Sequence, residues 1–352
     1  MRIDADTHFF PRRTLELIDS NVQDRPQIVI GADGSEQYHL KGRMVSILNP
    51  ADKSWNIWDP EIRVTEMKKA GFDKQVLIAN QRMVSDYLEG KSAVALAHAY
   101  NTAVGECLQK HEEFIGAAQV PSHDIEEMVK EAERAVNDLG FKTIRVHANI
   151  GGRNFDDPAL RPFFAKLVEM NVPLWVHPIG YQAPGETYPH LLGGKRLAKY
   201  GFAAILGFPL EFFVSIGSLI FGGVLKEFPN LKVCFLEGGV GFVPYLMGRL
   251  EEAHEVLTSD FFTTLVGPSE SKITNSPVDY LNQLYFAIEA NESALAPAIS
   301  QLGADNLVIG SDFPHPEGSH PNTISQLMEV EGISSSDKEK IAGKNAERLL
   351  GV

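Results

Sequence analysis

A (β/α)8 TIM barrel, an α/β fold, is the architecture predicted by this 352-residue sequence, and three observations point to it. Short β-branched or apolar runs alternate with amphipathic helical stretches along the whole chain, the signature of βα units around a parallel sheet. The runs number eight, enough to close a barrel. No Gly-rich phosphate loop follows any of them, which puts the doubly wound dinucleotide-binding sheet well behind.

The predicted strands are Arg2 to His8, Lys74 to Ala79, Phe114 to Val120, Thr143 to Ala148, Val172 to His177, Lys232 to Glu237, Gln283 to Ile288 and Asn306 to Ser311. Between them the apolar spacing predicts helices over Ala93 to Lys110, Ile125 to Leu139, Pro158 to Met170, Leu210 to Glu227 and Ser293 to Leu302. Leu139-Gly140-Phe141, Asn171-Val172-Pro173 and Pro229-Asn230-Leu231 supply the residues that stop a helix and return the chain to the barrel. Two segments fall outside the repeat. Residues 21–60, after the first strand, contain Gln37 to Leu40 and Met44 to Ile47 and read as a hairpin excursion. Residues 178–209, after the fifth, are rich in Gly, Pro and aromatics. Both insertions leave the carboxyl ends of strands, where barrel enzymes place their sites. The expectation is one domain over residues 1–352, with no linker and no low-complexity tract.

Composition narrows the class. With 44% hydrophobic and 22% charged residues the chain reads as globular, and its length supports a large core without staples. The net charge of -14 argues against a phosphate-tracking surface, and so against nucleic acid. It does not forbid an anionic substrate, because a local metal ion outweighs diffuse surface charge. The start of the chain lacks the apolar stretch of a signal peptide, and no run of about 18 apolar residues stands out as a membrane span. Cys107 is expected in a helix and Cys234 in a strand, so no disulfide is expected and a reducing cytoplasm is the natural location.

The residues that carry chemistry sit at strand ends. Asp6-Thr7-His8 closes the first strand, and residues two apart on a strand share a face, so a carboxylate and an imidazole can converge on the barrel mouth. Alone, Asp-x-His is a weak signal, and an ordinary polar strand end is its plainer reading. Asp4 shares that parity one layer deeper and reads as a buried acid bonded to backbone or to a histidine. His177 ends Pro173-Leu174-Trp175-Val176-His177 before Pro178; a lone core histidine is the plain reading, but a strand's carboxyl end favours a ligand. Asp312 follows the apolar Leu307-Val308-Ile309 and precedes Phe313-Pro314-His315; it is either a turn or cap residue or an acid meeting a cation. Taken jointly, Asp6, His8, His177 and Asp312 predict one divalent ion of the zinc or manganese kind. His315, three residues after Asp312, is placed over the same mouth as a catalytic or supporting donor.

These motifs resemble the amidohydrolase superfamily, and within it the branch of aminocarboxymuconate semialdehyde decarboxylase and the hydroxybenzoate decarboxylases. The likeness extends to Met67 to Val76, to Asn101, and to Leu236-Glu237-Gly238-Gly239. It implies one divalent ion at the barrel mouth and an acid after strand eight, Asp312, that is both ligand and proton carrier. Two departures follow. The branch often carries His or Glu where this chain has Asp6, and many members carry His after strand six where this chain has Glu237. Glu237 is therefore an acid/base group, a further ligand, or an acid bonded to His177 or His315. Strand four, Thr143 to Ala148, ends without a lysine, so a mononuclear centre is expected.

Substrate contacts are harder to read. Arg145 and His147 share one parity; Arg145 is either a carboxylate clamp or a salt-bridge partner, depending on register. Tyr181, Tyr188 and His190 in one insertion and Trp55 and Trp58 in the other are candidates for an aromatic pocket wall or for an oligomer contact. The expected activity is non-oxidative decarboxylation of a small hydroxylated aromatic or unsaturated carboxylic acid, the metal acting as Lewis acid and Asp312 as proton donor. The competing reading is hydrolysis of a C–N or C–O bond by metal-activated water, with Asp312 or Glu237 as base. A metal-free scaffold barrel is a third, weaker reading, since every ligand type is present. A homo-oligomer, dimer or tetramer, is expected from the aromatic insertion.

Overall fold

In the computed structural model, residues 1–49, 58–183, 186–257, 259, 261, 264–265, 270–315 and 318–352 are described. The chain opens with β1 (Ile3–His8) and then departs into an antiparallel sheet of β2 (Gln27–Ile30), β3 (Glu36–Leu40) and β4 (Arg43–Asn49). Thereafter come β5 (Lys74–Ile78), β6 (Phe114–Gln119), β7 (Thr143–His147) and β8 (Leu174–His177), the small hairpin β9 (Tyr181–Ala183) and β10 (Glu186–Thr187), and finally β11 (Val233–Phe235), β12 (Leu284–Ile288) and β13 (Leu307–Ile309). The eight barrel strands run in the order β1-β5-β6-β7-β8-β11-β12-β13, every pair parallel. The seam closes beyond β13, where Asp312 N donates to Asp6 O at 3.0 Å and His8 N to Phe313 O at 2.8 Å. All eight predicted strands are present at the predicted places.

Alternation along these strands builds two cores. Ile3, Ala5, Val76, Ile78, Ile115, Ala117, Trp175, Cys234 and Val308 fill the barrel, which is packed rather than hollow. Trp175 spans it, donating its indole N–H to Ala5 O at 3.0 Å. The opposite faces, such as Leu77, Ala118, Val146 and Val176, pack under the surrounding helices. Both cysteines are free, Cys234 inside the barrel.

Three helical expectations shift. Leu210 to Glu227 is one helix over Gly207–Phe221 and a short second one over Val224–Glu227, parted at Gly222 and Gly223. Gly223 has φ 74°, and a Cβ at Gly222 would lie 2.2 Å from the Asp156 Cβ, so neither position accepts another residue in this backbone. Pro158 to Met170 begins as a 3-10 turn before the helix Arg161–Met170, which ends on Asn171 in the left-handed region at φ 53°. The stretch Phe202–Phe221 has a mean hydropathy of 1.9 and is long enough to cross a membrane by composition, contrary to the sequence reading. It is a barrel helix instead. Phe208, Phe212, Ile216 and Ile220 are buried, and buried Glu211 accepts from Asn149 Nδ2 at 3.0 Å and from Leu192 N.

The two insertions meet over the carboxyl ends of the strands. Arg43 in β4 pairs with Glu186 in β10 at 3.2 Å, and Tyr87, from the turn after β5, pins the second insertion by donating its Oη–H to Tyr181 O at 2.8 Å. The expected hairpin in residues 21–60 is there as β3 and β4, with β2 as an additional third strand.

Candidate metal centre

β1 delivers Asp6 and His8 to the mouth through an irregularity. The β1–β5 register runs Ile3↔Lys74 and Asp4↔Gln75, then slips, and resumes at Thr7↔Leu77 and His8↔Ile78. Ile78 faces the barrel interior, so His8 does too. Gln75 alternates with the interior Val76, so Asp4 lies on the opposite face, behind Asp6 and not beneath it. There Asp4 accepts Ser311 N at 2.8 Å, Ser311 Oγ at 2.6 Å and Gln75 Nε2 at 3.2 Å. Burial raises Asp4 to about 7 against those bonds. Its work is to anchor the chain that carries Asp312. Equal parity over Asp4, Asp6 and His8 is thus overturned by the slip, while a buried acid bonded to backbone is what is found.

The last strand is pressed onto Asp6. A Cβ at Gly310 would lie 2.7 Å from the Asp6 Cβ, which is why glycine precedes Ser311-Asp312. The chain then turns at Asp312 with φ 56°, and after β11 it turns at Glu237 with φ 58°. Non-glycine residues rarely hold this conformation, which costs on the order of 1 kcal/mol or more, and it clusters where a side chain must be aimed. After Glu237, Gly238 admits the Phe212 ring, 2.4 Å from where a Cβ would stand.

The side chains so aimed converge. Glu237 Oε1 lies 2.9 Å from His8 Nε2 and 3.0 Å from His177 Nε2; Asp312 Oδ1 lies 2.9 Å from His8 Nε2 and 2.8 Å from His315 Nδ1. Two overlapping ligand groups result, Asp6-His8-His177-Glu237 and His8-Glu237-Asp312-His315, with donor atoms inside each within 4.8 Å of one another. A cavity of about 10 Å³, room for a single water or ion, is lined by Asp6, Glu237, Glu289, Glu292 and Asp312.

Protons satisfy this cluster poorly. His177 Nδ1 donates to Pro178 O at 2.8 Å, so Nε2 of a neutral ring turns a lone pair toward Glu237. Burial keeps His177 below the ordinary histidine range despite Glu237. On His8, burial acts downward, but bonds to Asp312 and Glu237 raise it to about 10, while its buried Nδ1 has no partner among the described residues. Burial lifts Asp6 well above the usual carboxylate range, and Glu237 adds to the shift; Asp6 Oδ1 is buried with no partner among the described residues. Burial alone would lift Glu237 too, but His177 and His8 hold it well below. Lone pairs and carboxylate oxygens facing one another out of water call for a cation. The donor set, mixed imidazole and carboxylate, suits a borderline divalent ion. The expected ligands Asp6, His8, His177 and Asp312 are brought together, Asp312 joining through His8; Glu237 stands among them and His315 beside Asp312.

The other predicted residues are placed differently. Arg145 and His147 face the same way as Trp175 and His177, to which they are paired in register, so both point inward. Arg145 is engaged within the protein: Nη1 is 3.5 Å from Asp86 Oδ2 and 2.9 Å from His147 Nε2. His147 Nδ1 donates to His177 O at 3.1 Å. Tyr188 is buried, its ring 5.9 Å from that of His147. His190 is exposed, its ring 5.5 Å from Tyr188. Tyr181 is half-buried, and the Arg82 guanidinium lies 5.9 Å from its ring centroid. Trp58 lies under the Arg12 guanidinium at 4.5 Å, partly buried against the hydrophobic core. Trp55 lies outside the described residues. Asn101 bonds Gln119 and Glu131 and is a pin between helix and strand.

Three supporting residues escape a reading of strand ends alone. Arg63, buried in the helix Pro60–Lys69, donates to His8 O between the rings of Phe9 and Phe313, 5.2 and 5.0 Å away. Asp86 follows β5 in a 3-10 turn. Asn80 Nδ2 reaches His315 Nε2 at 3.1 Å; it follows β5 by two positions, and the rim rule applied to Asp6 and His177 would have found it.

A parallel barrel with an imidazole–carboxylate cage at the carboxyl ends of β1, β8, β11 and β13 defines a metal-binding α/β barrel of the hydrolase and lyase kind. The chain belongs to the amidohydrolase family, which matches over residues 3–352. It is 29% identical to 2-amino-3-carboxymuconate-6-semialdehyde decarboxylase of Dictyostelium discoideum, over 84% of this chain and 78% of that one. It is 25% identical to gamma-resorcylate decarboxylase of a Rhizobium species, over 82% and 86%. Its fold is that of 5-carboxyvanillate decarboxylase from Sphingomonas paucimobilis, with TM-score 0.76, 19% identity and coverage of 100% and 99%.

Proposed function

We propose that this chain is a metal-dependent carboxy-lyase that decarboxylates a small hydroxylated aromatic or unsaturated carboxylic acid without net oxidation. One observation carries the reading: the carboxylates of Asp6, Glu237 and Asp312 crowd the imidazoles of His8 and His177 on one buried rim. The decarboxylases to which the chain is similar over most of its length support the choice of chemistry.

Asp6, His8, His177 and Asp312 would hold the ion. A zinc or manganese ion held there would supply Lewis acidity toward the substrate's carboxylate or a neighbouring oxygen. Two ligand carboxylates neutralise a divalent charge, so a water there is acidified less than under an all-imidazole shell, which favours orienting an anion over making hydroxide. Asp312, the acid with a partner on each side in His8 and His315, would take up one proton from solvent in each turnover and deliver it to the carbon that bears the carboxyl group. The C–C bond breaks, its electron pair remains on that carbon to take the proton, and carbon dioxide departs. Tyr188 is the aromatic wall nearest His177 through His147, with His190 beyond it. Arg145 acts through Asp86 and His147, and Trp58 packs against the core beneath Arg12.

Hydrolysis is the second reading, and one observation favours it. Glu237 faces the same mouth as the ligands, where a second carboxylate base would serve water activation. The deciding experiment incubates metal-loaded enzyme with a panel of hydroxybenzoates and unsaturated acids, follows carbon dioxide, and runs lactones and amides beside it. Carbon dioxide release with one metal per chain is expected; turnover confined to lactones or amides overturns the proposal.

The reading includes a cytoplasmic homo-oligomer. Tyr200, Ile205 and Tyr245 are 79%, 65% and 63% exposed, and large exposed side chains of this kind can anchor a contact between copies. Sedimentation of the holoenzyme checks it; a monomer at micromolar concentration removes that part.

A further inference from the structure

We infer that Asn80 is a positioning residue that fixes His315 in a single tautomer and, through it, fixes Asp312. The inference deepens the proposed site and rests on Asp312 being its working acid. Asn80 lies just past β5, 3% exposed, across the mouth from the loop that follows β13. The orientation of its side-chain amide is settled by its own neighbourhood: Oδ1 accepts Arg82 N–H at 3.1 Å. The amide nitrogen therefore points at His315 Nε2, 3.1 Å away. An amide NH2 only donates, so Nε2 must present its lone pair, and a neutral ring then carries its hydrogen on Nδ1. Nδ1 stands 2.8 Å from Asp312 Oδ1. The hydrogen bonds run in one direction, from the Asn80 amide to the imidazole and from the imidazole to the carboxylate.

Two consequences follow for the chemistry. His315 has both ring nitrogens committed, so it is a fixed donor to Asp312 and not the group that exchanges protons with substrate. Asp312, held in a left-handed backbone conformation at φ 56°, gains a second restraint on its carboxylate from a residue on a different strand. This is the arrangement by which outer partners orient metal-site carboxylates, where losing one costs roughly 10- to 100-fold in affinity or rate.

The test uses the intact zinc-loaded protein, labelled with nitrogen-15 at histidine, with the His315 signals assigned by their loss in His315→Gln. Long-range nitrogen–proton spectra should show His315 protonated at Nδ1 and bare at Nε2. Asn80→Asp, whose carboxylate only accepts, should place a proton on Nε2 in addition to the one that Asp312 keeps on Nδ1. Asn80→Ala, which removes the donor without adding an acceptor, should turn the single tautomer into a mixture. With the acid the enzyme turns over, both variants should lower kcat by about 10- to 100-fold, leave KM within about twofold, and keep one zinc per chain. A wild-type His315 protonated at Nε2, or an Nδ1 tautomer that persists unchanged in both variants, overturns the inference. The spectra need no substrate, so a wrong assignment of the reaction does not alter the tautomer they read. A wrong tautomer, in turn, does not alter the carbon dioxide released in the decarboxylation assay.

Discussion

Two clusters of buried histidine and carboxylate sit side by side at the mouth of this barrel, and only one of them is built for a metal. In the first, Asp6, Glu237 and Asp312 surround His8 and His177, with Asp6 Oδ1 unpartnered among the described residues. In the second, Asp86 and His147 are joined by Arg145 and by the Ser122 hydroxyl, which donates to Asp86 Oδ1 at 2.6 Å. The two touch, since His147 Nδ1 donates to the carbonyl of His177. Their protonation leans in opposite directions. Burial and Glu237 push Asp6 up, and the acids around His8 raise it to about 10 against burial. Burial would lift Asp86, but His147, Arg145 and Ser122 hold it well below the usual range; burial and the Arg145 charge take His147 down to about 4. The difference is the guanidinium. A cluster that contains its own cation is closed, whereas one with surplus carboxylate must import one. Residue types at strand ends therefore do not define a metal site; local charge balance does.

The comparison is broken most directly at the metal cluster. His177→Ala should remove the ion, read as metal per chain falling from one toward zero. Asp312→Asn removes charge without volume and should lower turnover by about a thousandfold or more while the fold, followed by circular dichroism, is retained. An Asp312→Asn enzyme with a tenth of the wild-type rate would show that the acid has no such role.

At the closed cluster the expected loss is of stability. Arg145→Met keeps bulk but leaves Asp86 buried without its cation, which costs about 3–5 kcal/mol, roughly 4–7 °C in Tm for a chain of this length. The double variant with Asp86→Asn should recover part of it, since the uncompensated charge is gone. If Arg145→Met melts with the wild type, the guanidinium is not what closes the cluster.

The contrast also fixes a pH dependence. His147 titrates near 6.5 in the unfolded chain and at about 4 when folded, so between those values the unfolded state binds the extra proton. Its contribution is fully present above pH 6.5 and is lost as pH falls toward 4, roughly 3 kcal/mol in all. Chemical denaturation of the wild type at pH 7 and pH 4.5 should show this loss, and His147→Gln should show a smaller one. Equal slopes in the two proteins would place the acid sensitivity elsewhere.

What is legible in the sequence divides along the same line. Asp6, His8, His177 and Asp312 can be read because each ends an apolar strand, and the barrel brings all such ends to one rim. Arg145 can be seen but not interpreted, because its partner Asp86 lies in a turn after a different strand and nothing local signals the pairing. The slip between Asp4 and Thr7 is invisible for a related reason: it is set by the fit of β1 against β5, not by β1 alone. Arg63, which reaches His8 O from a helix, is hidden for the same reason, whereas Asn80 stands at a strand end and could have been read. The apolar helix Phe202–Phe221 does not stand out because its single acid, Glu211, and its glycines break the run in sequence but not in mean hydropathy.

Glu237 tests the comparison most finely, with the smallest expected effect. Glu237→Gln keeps Oε1 as an acceptor beside His8 and His177 and removes one negative charge from the surplus. Metal affinity should fall by about tenfold, within the range that outer and supporting partners command, and saturating manganese or zinc should restore occupancy. The rate at full occupancy then separates the two chemistries. A decarboxylase that takes its proton from Asp312 keeps activity within about tenfold, since the lost group neither gives nor takes the proton in flight. A hydrolase that uses Glu237 as base loses the contribution of general base catalysis, about 100- to 10,000-fold. The charge argument predicts the first outcome: the carboxylate of Glu237, flanked by two imidazole nitrogens and held well below the usual range, is committed to the cation site and has little basicity left for water.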